Sequence, residues 1–497
     1  MADQVYRARK PHSSPLWQCL SRYFDVFLAA YEARFQPHYG FLRPIIPEVV
    51  NKFLDCGDLE HGFARVRCDH CQHEYLLAFS CKGRWFCPSC HQKKVQLFGA
   101  LLTETILFPV PHRHFTFGIP KMLRPYFRFN RALLKDYCRI AHESLLEYMQ
   151  TALDLPDGLP GIVMCIHTFG EYLDYHPHLH ALVADGLFTR DGRFHVMPVV
   201  DIQPLEDLFQ ARVIAFLVGK GLLPPERAKM LRGWVHSGFN VYHSRRVLPE
   251  ERADLERLAQ YIIRNPFAVE KMQVTEANRA NPDGSIIYHS GLNPKIQRNF
   301  EVFTPCEFIA AITQHIPDKS FQLVRYYGWY SNKMRGRRSK QAAAVVQPDG
   351  KAASVIDVSE HKPRRIPSKK WRELIKKVWE ADPLLCPKCQ KEMRIVSLID
   401  GPAVIERILR HLGLWQQGIR VASGPAPPAD WVIEPWFDDA TSDYDTVPAR
   451  FTRTPDRPRR GRYVFIRPPE RKPAALGRSG DTPSVPKPLV WMLFLCY

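Results

Sequence analysis

Apolar positions along the chain change period several times, and each change marks an element. Tyr23, Phe24, Phe27, Leu28 and Tyr31 recur at helical spacing, which predicts that residues 1–50 are largely helical. A second helical stretch over about 95–107 ends at Pro109 and Pro111 and leads into a strand candidate at 114–119. Helical sequence returns over 127–153. Strands are then predicted at 161–169, 178–183 and 187–188, with 170–177 a loop and Ala184-Asp185-Gly186 a turn. Arg190-Asp191-Gly192 turns the chain into a further strand at 194–197. Helices are expected over 204–218, 225–232, 249–264 and 305–315, with strands at 271–274 and 285–289 before the last of them. Strands interleaved with helices of these lengths predict an α+β fold, a sheet carrying helices on one face. No internal repeat is evident.

Composition narrows the class. With 497 residues, 45% hydrophobic and 24% charged, the chain reads as a soluble globular protein of two to four domains. No apolar run approaches the roughly 20 residues that a membrane span needs, and Leu489–Leu495 is too short to be one. The first residues lack the apolar core of a signal peptide, which predicts a cytoplasmic location. Lys and Arg number 69 against 51 Asp and Glu, a net charge of +18. That excess calls for a polyanionic partner, and nucleic acid fits better than a membrane because no basic amphipathic anchor stands out. Basic residues concentrate at 333–340 (Lys333, Arg335, Arg337 and Arg338 among them), 362–372 and 450–472, which predicts contacts to a phosphate backbone.

Thirteen cysteines, an odd number in a chain without a secretion signal, point to metal rather than disulfides. Cys68-Asp-His-Cys71 and Cys87-Pro-Ser-Cys90 are two Cys-x-x-Cys knuckles with fifteen residues between them, a spacing suited to one tetrahedral zinc held by all four thiolates. Cys81, His70, His73 and His91 could substitute as ligands. A closed site of this kind serves folding and DNA docking, not chemistry. Cys386-Pro-Lys-Cys389 is half of such a site; Met393 and His411 do not complete it, so it is either a zinc ligand pair or a turn that persists without metal.

The richest segment is Tyr175-His-Pro-His-Leu-His-Ala-Leu-Val183. His178 and His180 flank Leu179 in a predicted strand, so their imidazoles share one face about 7 Å apart, a start for a divalent-metal site. Downstream, 249–264 reads as a helix with a Pro start and a stop at Pro266, with Leu255, Leu258 and Ile262 as its buried stripe. Tyr261 lies at the edge of that stripe, with Arg257 one turn before it and Arg264 one turn after. A free tyrosine is a poor nucleophile at neutral pH, so a chemical role requires a metal-polarised phosphate beside it. His112-Arg113-His114 reads as a phosphate-contact edge.

A cysteine-rich N-terminal unit, a His-hydrophobic-His strand and a tyrosine helix, in that order, resemble the insertion-sequence 91 family of rolling-circle transposases within the HUH endonuclease superfamily. The resemblance spans about 56–335, with an echo at 383–414. It rests on Arg67–Cys71, Ser80–Arg84, Phe86–Cys90, Phe169-Gly170, His176–Val183, Leu258–Tyr261, Leu323–Gly328 and Leu385–Cys389. It implies an antiparallel HUH-type sheet in residues 105–335, a zinc-binding domain in 51–100 with structural Zn²⁺ on Cys68, Cys71, Cys87 and Cys90, and a helical region in 1–50. Beyond lie a basic linker (336–370), a small Cys-x-x-Cys helical unit (371–417) and a disordered Pro/Arg-rich tail (418–497). The implied activity is nicking and rejoining of single-stranded DNA at element ends. His178 and His180 would hold Mg²⁺ or Mn²⁺, and Tyr261 would form a 5′-phosphotyrosine. His167 or Asn265 is the expected third ligand, ahead of Glu171 and His176. Two-tyrosine members carry tyrosines four residues apart, whereas here the earlier position is Arg257, so the resemblance is to a single-tyrosine variety; Tyr326, Tyr327 and Tyr330 are the other candidates for a second hydroxyl. A replication initiator, a relaxase or a non-catalytic zinc-ribbon protein would share parts of this pattern. Arg257 and Arg264 join the basic run as expected DNA contacts, and the protein would lie with the nucleoid when bound.

Overall fold

The computed structural model describes residues 10–341 apart from 84, 235–236, 276–283 and 294–296, together with 355–358 and 382–415. The expected tail from 418, the segment at 489–495 and most of the expected basic linker lie outside the described residues.

A first hairpin joins β1 (Phe63–Cys68) to β2 (Glu74–Ala78). The central sheet follows with β3 (His112–Gly118), β4 (Leu159–Phe169), β5 (Tyr175–Phe188), β6 (Arg193–Val196) and β7 (Asn240–His243). A meander of β8 (Met272–Thr275), β9 (Ser285–Asn293) and β10 (Arg298–Phe303) comes next. Then β11 (Val324–Gly328) and β12 (Val355–Asp357) return to the central sheet, and β13 (Met393–Ile399) returns to the first hairpin. The central order is β11-β4-β5-β3-β7, with β6 on β5 and β12 on β6, antiparallel throughout.

Nearly every residue of β4 and β5 is buried, so both faces of the sheet must be covered. The helices Leu133–Leu153 and Gln203–Gly219 cover one face. There Tyr137 donates to the Phe117 carbonyl at 2.8 Å and Phe209 meets the Phe117 ring edge-on at 5.0 Å. The opposite face lies under the knuckle helix Pro88–Leu101 and the tyrosine helix Arg252–Tyr261. Strand alternation sends Phe117 and Leu179 to the first face and Thr116, His178 and His180 to the second.

Among the boundaries that differ from the sequence expectation, two bear on the site. The predicted turn at 184–186 is continuous strand: β6 pairs antiparallel with β5 from Gly186 on, and Gly186 lacks the Cβ that would collide with the His195 carbonyl. The tyrosine helix runs Arg252–Tyr261, not 249–264: Pro249 lies ahead of its start, and the chain turns at Ile262 and Ile263 before reaching Pro266.

The N-terminal helices Pro15–Ala30 and Ile45–Leu54 share a core with the helix Pro305–Thr313 and the meander, built on Phe24, Phe27, Phe53, Phe308 and Ile312. Phe86 belongs to this core too, edge-on to Phe53 at 5.6 Å and to Phe267 at 5.7 Å. One ring therefore links the cysteine-rich segment to the chain leaving the tyrosine helix.

Candidate metal centres and the tyrosine

The knuckles do not pool into one site. Cys87 and Cys90, at the start of the knuckle helix, meet Cys56 and Cys81, while Cys68 and Cys71 meet Cys386 and Cys389. The predicted set Cys68, Cys71, Cys87 and Cys90 is thus divided. β1 carries Cys68 away along the hairpin, whereas Cys87 caps a helix that points to the sheet. In the first cluster Cys56 lies 3.6 Å from Cys90 and 3.8 Å from Cys87, and Cys81 lies 3.6 Å from Cys90. Zinc–sulfur bonds of about 2.3 Å in a tetrahedron place sulfurs about 3.8 Å apart. These separations fit that edge and are far beyond a disulfide bond of about 2.05 Å. Backbone amides of Cys81 and Gly83 donate to Cys56 Sγ and Cys81 Sγ, the support a thiolate needs. Hydrogen bonds from the Cys81 and Cys87 thiols bring the Cys56 thiol down to about 7. Cys56 escaped the sequence reading because no second cysteine stands beside it.

On the second face of the sheet three imidazoles converge. His167 and His178 are partners across β4 and β5, and His180 follows two residues on. One ring nitrogen from each lies within 4.8 Å of the others. His178 Nδ1 donates to the His176 carbonyl at 2.8 Å, which leaves Nε2 with its lone pair. His167 Nε2 donates to the Ile262 carbonyl at 2.8 Å, and its buried Nδ1 has no hydrogen-bond partner. His180 presents Nε2 when Nδ1 carries the proton and donates to His114 Nε2, 2.8 Å away. Each ring is thus oriented by a bond at its other nitrogen, as metal-binding histidines are. His178 Nε2 and His180 Nε2 face each other at 3.1 Å, a repulsive arrangement for two lone pairs but a fitting one for adjacent positions around an ion about 2.1 Å from each. Burial lowers the His178 pKa to about 3 and that of His114 to about 4, and holds His167 and His180 well below the ordinary range. Neutral imidazoles are the ligand form.

Of the other ligand candidates, Asn265 donates from Nδ2 to the Phe267 carbonyl and its Oδ1 is buried without a partner. His176 contributes its carbonyl to His178. Glu171 sits in the turn before β5. The reading of His112–His114 as a phosphate edge is overturned. His112 is buried against the Tyr330 hydroxyl at 2.8 Å, Arg113 pairs with Asp185 at 2.9 Å, and His114 buttresses His180. The alternation that exposes two faces of a strand carries no warning that both are covered.

Tyr261 stands over this cluster. Its ring meets His180 at 5.3 Å and His114 at 5.8 Å, both edge-on, and it remains 40% exposed. The guanidinium of Arg264 lies 4.5 Å from the centre of the Tyr261 ring and 5.4 Å from that of Phe169. Two carbonyls freed where the helix ends are taken by histidines: Ile262 by His167 and, at 2.6 Å, Ile263 by His91 of the knuckle helix. Arg257 is ion-paired with Asp254 in the same helix. Tyr330 is fully buried, Tyr327 stacks on His142 at 4.5 Å, and Tyr326 lies under Arg335. In the basic run Lys333 and Arg337 are exposed, whereas Arg338 donates to the Trp329 carbonyl and covers its ring. No helix among the described residues is long and apolar enough to cross a membrane.

Comparison with known proteins agrees with this architecture. Residues 161–338 match the family model described as "Putative transposase", and residues 24–119 match the "Transposase zinc-binding domain". The transposase for insertion sequence element IS801 of Pseudomonas savastanoi pv. phaseolicola is 26% identical over 380 residues, covering 73% of this chain and 87% of that one. "Putative transposase y4qJ" of Sinorhizobium fredii is 23% identical over 365 residues, covering 67% and 84%. No solved structure matches the chain. A zinc-binding-domain match over a four-cysteine cluster, a transposase match over the region that holds the histidines and Tyr261, and a transposase relative along most of the chain together support an insertion-sequence 91 type of transposase.

Proposed function

We propose that the protein nicks and rejoins single-stranded DNA at the ends of its element, in rolling-circle fashion, with Tyr261 as nucleophile. The observation that carries this reading is the exposed phenol ring set edge-on over His180 beside a cluster of three histidines. The Tyr261 oxygen attacks the scissile phosphorus, the bond to the 3′ oxygen breaks, and the strand leaves with a free 3′-hydroxyl while its neighbour stays on the enzyme as a 5′-phosphotyrosine. Attack by a 3′-hydroxyl on that ester reverses the step and returns the phenol, so rejoining needs no nucleotide cofactor. His167, His178 and His180 would hold a divalent ion, and their all-nitrogen set fits Mn²⁺ better than Mg²⁺, which favours oxygen. Such an ion supplies charge stabilisation at the phosphoryl oxygens. Arg264, stacked on the tyrosine, presents a second positive charge to the same phosphate.

Incubation with a single-stranded oligonucleotide carrying the element end and Mn²⁺ should give a covalent adduct resolved by denaturing electrophoresis. Tyr261→Phe should lose it entirely while still binding the oligonucleotide. Adduct at wild-type levels in that variant would move the nucleophile elsewhere.

A further inference from the structure

We infer that Cys68, Cys71, Cys386 and Cys389 form a second structural zinc site, which clasps residues 382–415 onto the N-terminal domain. The four sulfurs lie within 4.8 Å of one another, with Cys68 3.5 Å from Cys389 and Cys71 3.4 Å from Cys386. The family model for the zinc-binding domain stops at residue 119, so half of this site lies outside it.

The two halves have the same local build. In the first, the Cys68 amide donates to the His73 carbonyl at 2.8 Å and the Gln72 amide to the Cys68 carbonyl at 2.9 Å. In the second, the Cys386 amide donates to the Lys391 carbonyl at 2.9 Å and the Gln390 amide to the Cys386 carbonyl at 2.9 Å. Gln72 and Gln390, each directly after the second cysteine, both adopt the left-handed conformation, with φ of 59° and 56°. Non-glycine residues rarely adopt it, so its recurrence at equivalent positions marks two copies of one knuckle. Cys-x-x-Cys-Gln is their common sequence, too short to register as a repeat.

The surrounding structure needs a staple. β13 pairs antiparallel with β1 from Cys68–Met393 to Phe63–Ile399, and Arg394 pairs with Asp69 at 2.8 Å. Among the described residues, the cores beneath are small: Ala64, Val66, Leu77 and Met393 in one, Phe63, Ile405 and Leu409 in the other. Cores of that size add little to holding a sheet together, and four cysteines bound to one zinc ion as thiolates, their protons released to solvent, supply what is missing. The partner cysteines are 315 and 321 positions apart in sequence. The clasp therefore closes the chain around the whole catalytic region.

The test uses the full chain with a protease-recognition sequence inserted between 359 and 381, so that β12 stays with the central sheet. After cleavage, wild type should elute as one species in gel filtration and separate into two when zinc is stripped by a chelator. Cys386→Ser with Cys389→Ser should lower the zinc content by one ion per chain and release the fragment on cleavage. Cys81→Ser should also lose one ion but keep the fragment. Replacing zinc by cobalt in uncut protein offers a readout independent of cleavage: the sulfur-to-cobalt absorption should fall by about half in the double variant. Unchanged zinc content in that variant, or a fragment that stays bound after chelation, would overturn the clasp. None of these readouts involves DNA, so they stand apart from the fate of the nicking reaction.

Discussion

At the scale of the residue, the three-histidine cluster depends on side chains that are not part of it. His114 is the clearest. Its Nε2 lies 2.8 Å from His180 Nδ1 and decides which nitrogen of His180 faces the cluster. Removing such a support typically weakens metal binding about 10- to 100-fold. His114→Ala should therefore raise the Mn²⁺ concentration needed for half-saturation by that order, measured by direct titration. His114→Gln, whose amide oxygen can still accept the bond, should recover much of the loss; equal weakening in both variants would reduce His114 to a packing residue. His178 and His180 could be read from the sequence because two-residue spacing on a strand puts them on one face. His114 could not. Its role depends on register between β3 and β5, set by pairing far along the chain.

At the scale of the element, the tyrosine helix is short, exposed on one side, and held at its end by two imidazole bonds. Its packing partner is the knuckle helix, where Gly99 lies against Gln260 and Glu256. A Cβ there would come 2.9 Å from Gln260 Cγ and 3.2 Å from Glu256 Cγ. Both are flexible side chains, so Gly99→Ala should be tolerated with small adjustment. Gly99→Val places branched bulk against the helix backbone and should cost about 1–3 kcal/mol of stability. Its sharper effect belongs to Tyr261, whose adduct formation should fall well below that of Gly99→Ala while zinc content and DNA binding persist. If Gly99→Val forms adduct at the wild-type rate, the two helices are not held as a unit. Most helices in this region were legible from period and from proline, including 204–218 and 225–232, observed as Gln203–Gly219 and Pro225–Gly233. β5 reads as broken because Ala184-Asp185-Gly186 has the composition of a turn, yet Gly186 serves the close approach of the paired strand β6, not a reversal.

At the scale of the whole molecule, what remained hidden in the sequence was which distant pieces meet. Cys386 and Cys389 had no visible partner because the partner is a knuckle near the other end of the chain, already assigned to a nearer pair. Local spacing identifies a knuckle; only the fold says where its other half is. The same limit applies to charge. The +18 balance predicts phosphate contact but not which cations make it. The structure separates the run at 333–338. Lys333 and Arg337 are exposed, while burial against Trp329 and Phe108 lowers the Arg338 pKa to about 10 and uses its donor on the Trp329 carbonyl. Each phosphate contact on a single strand contributes about 0.7 to the slope of log affinity against log salt. With about six contacts, affinity should fall roughly 300-fold between 50 and 200 mM salt. Lys333→Ala with Arg337→Ala should reduce the slope by about 1.4 and leave the melting temperature unchanged. Arg338→Ala should do the reverse, lowering the melting temperature with little change in slope, because its guanidinium supports rings rather than phosphates. A slope unaltered by the first pair would place the DNA path on another face of the molecule.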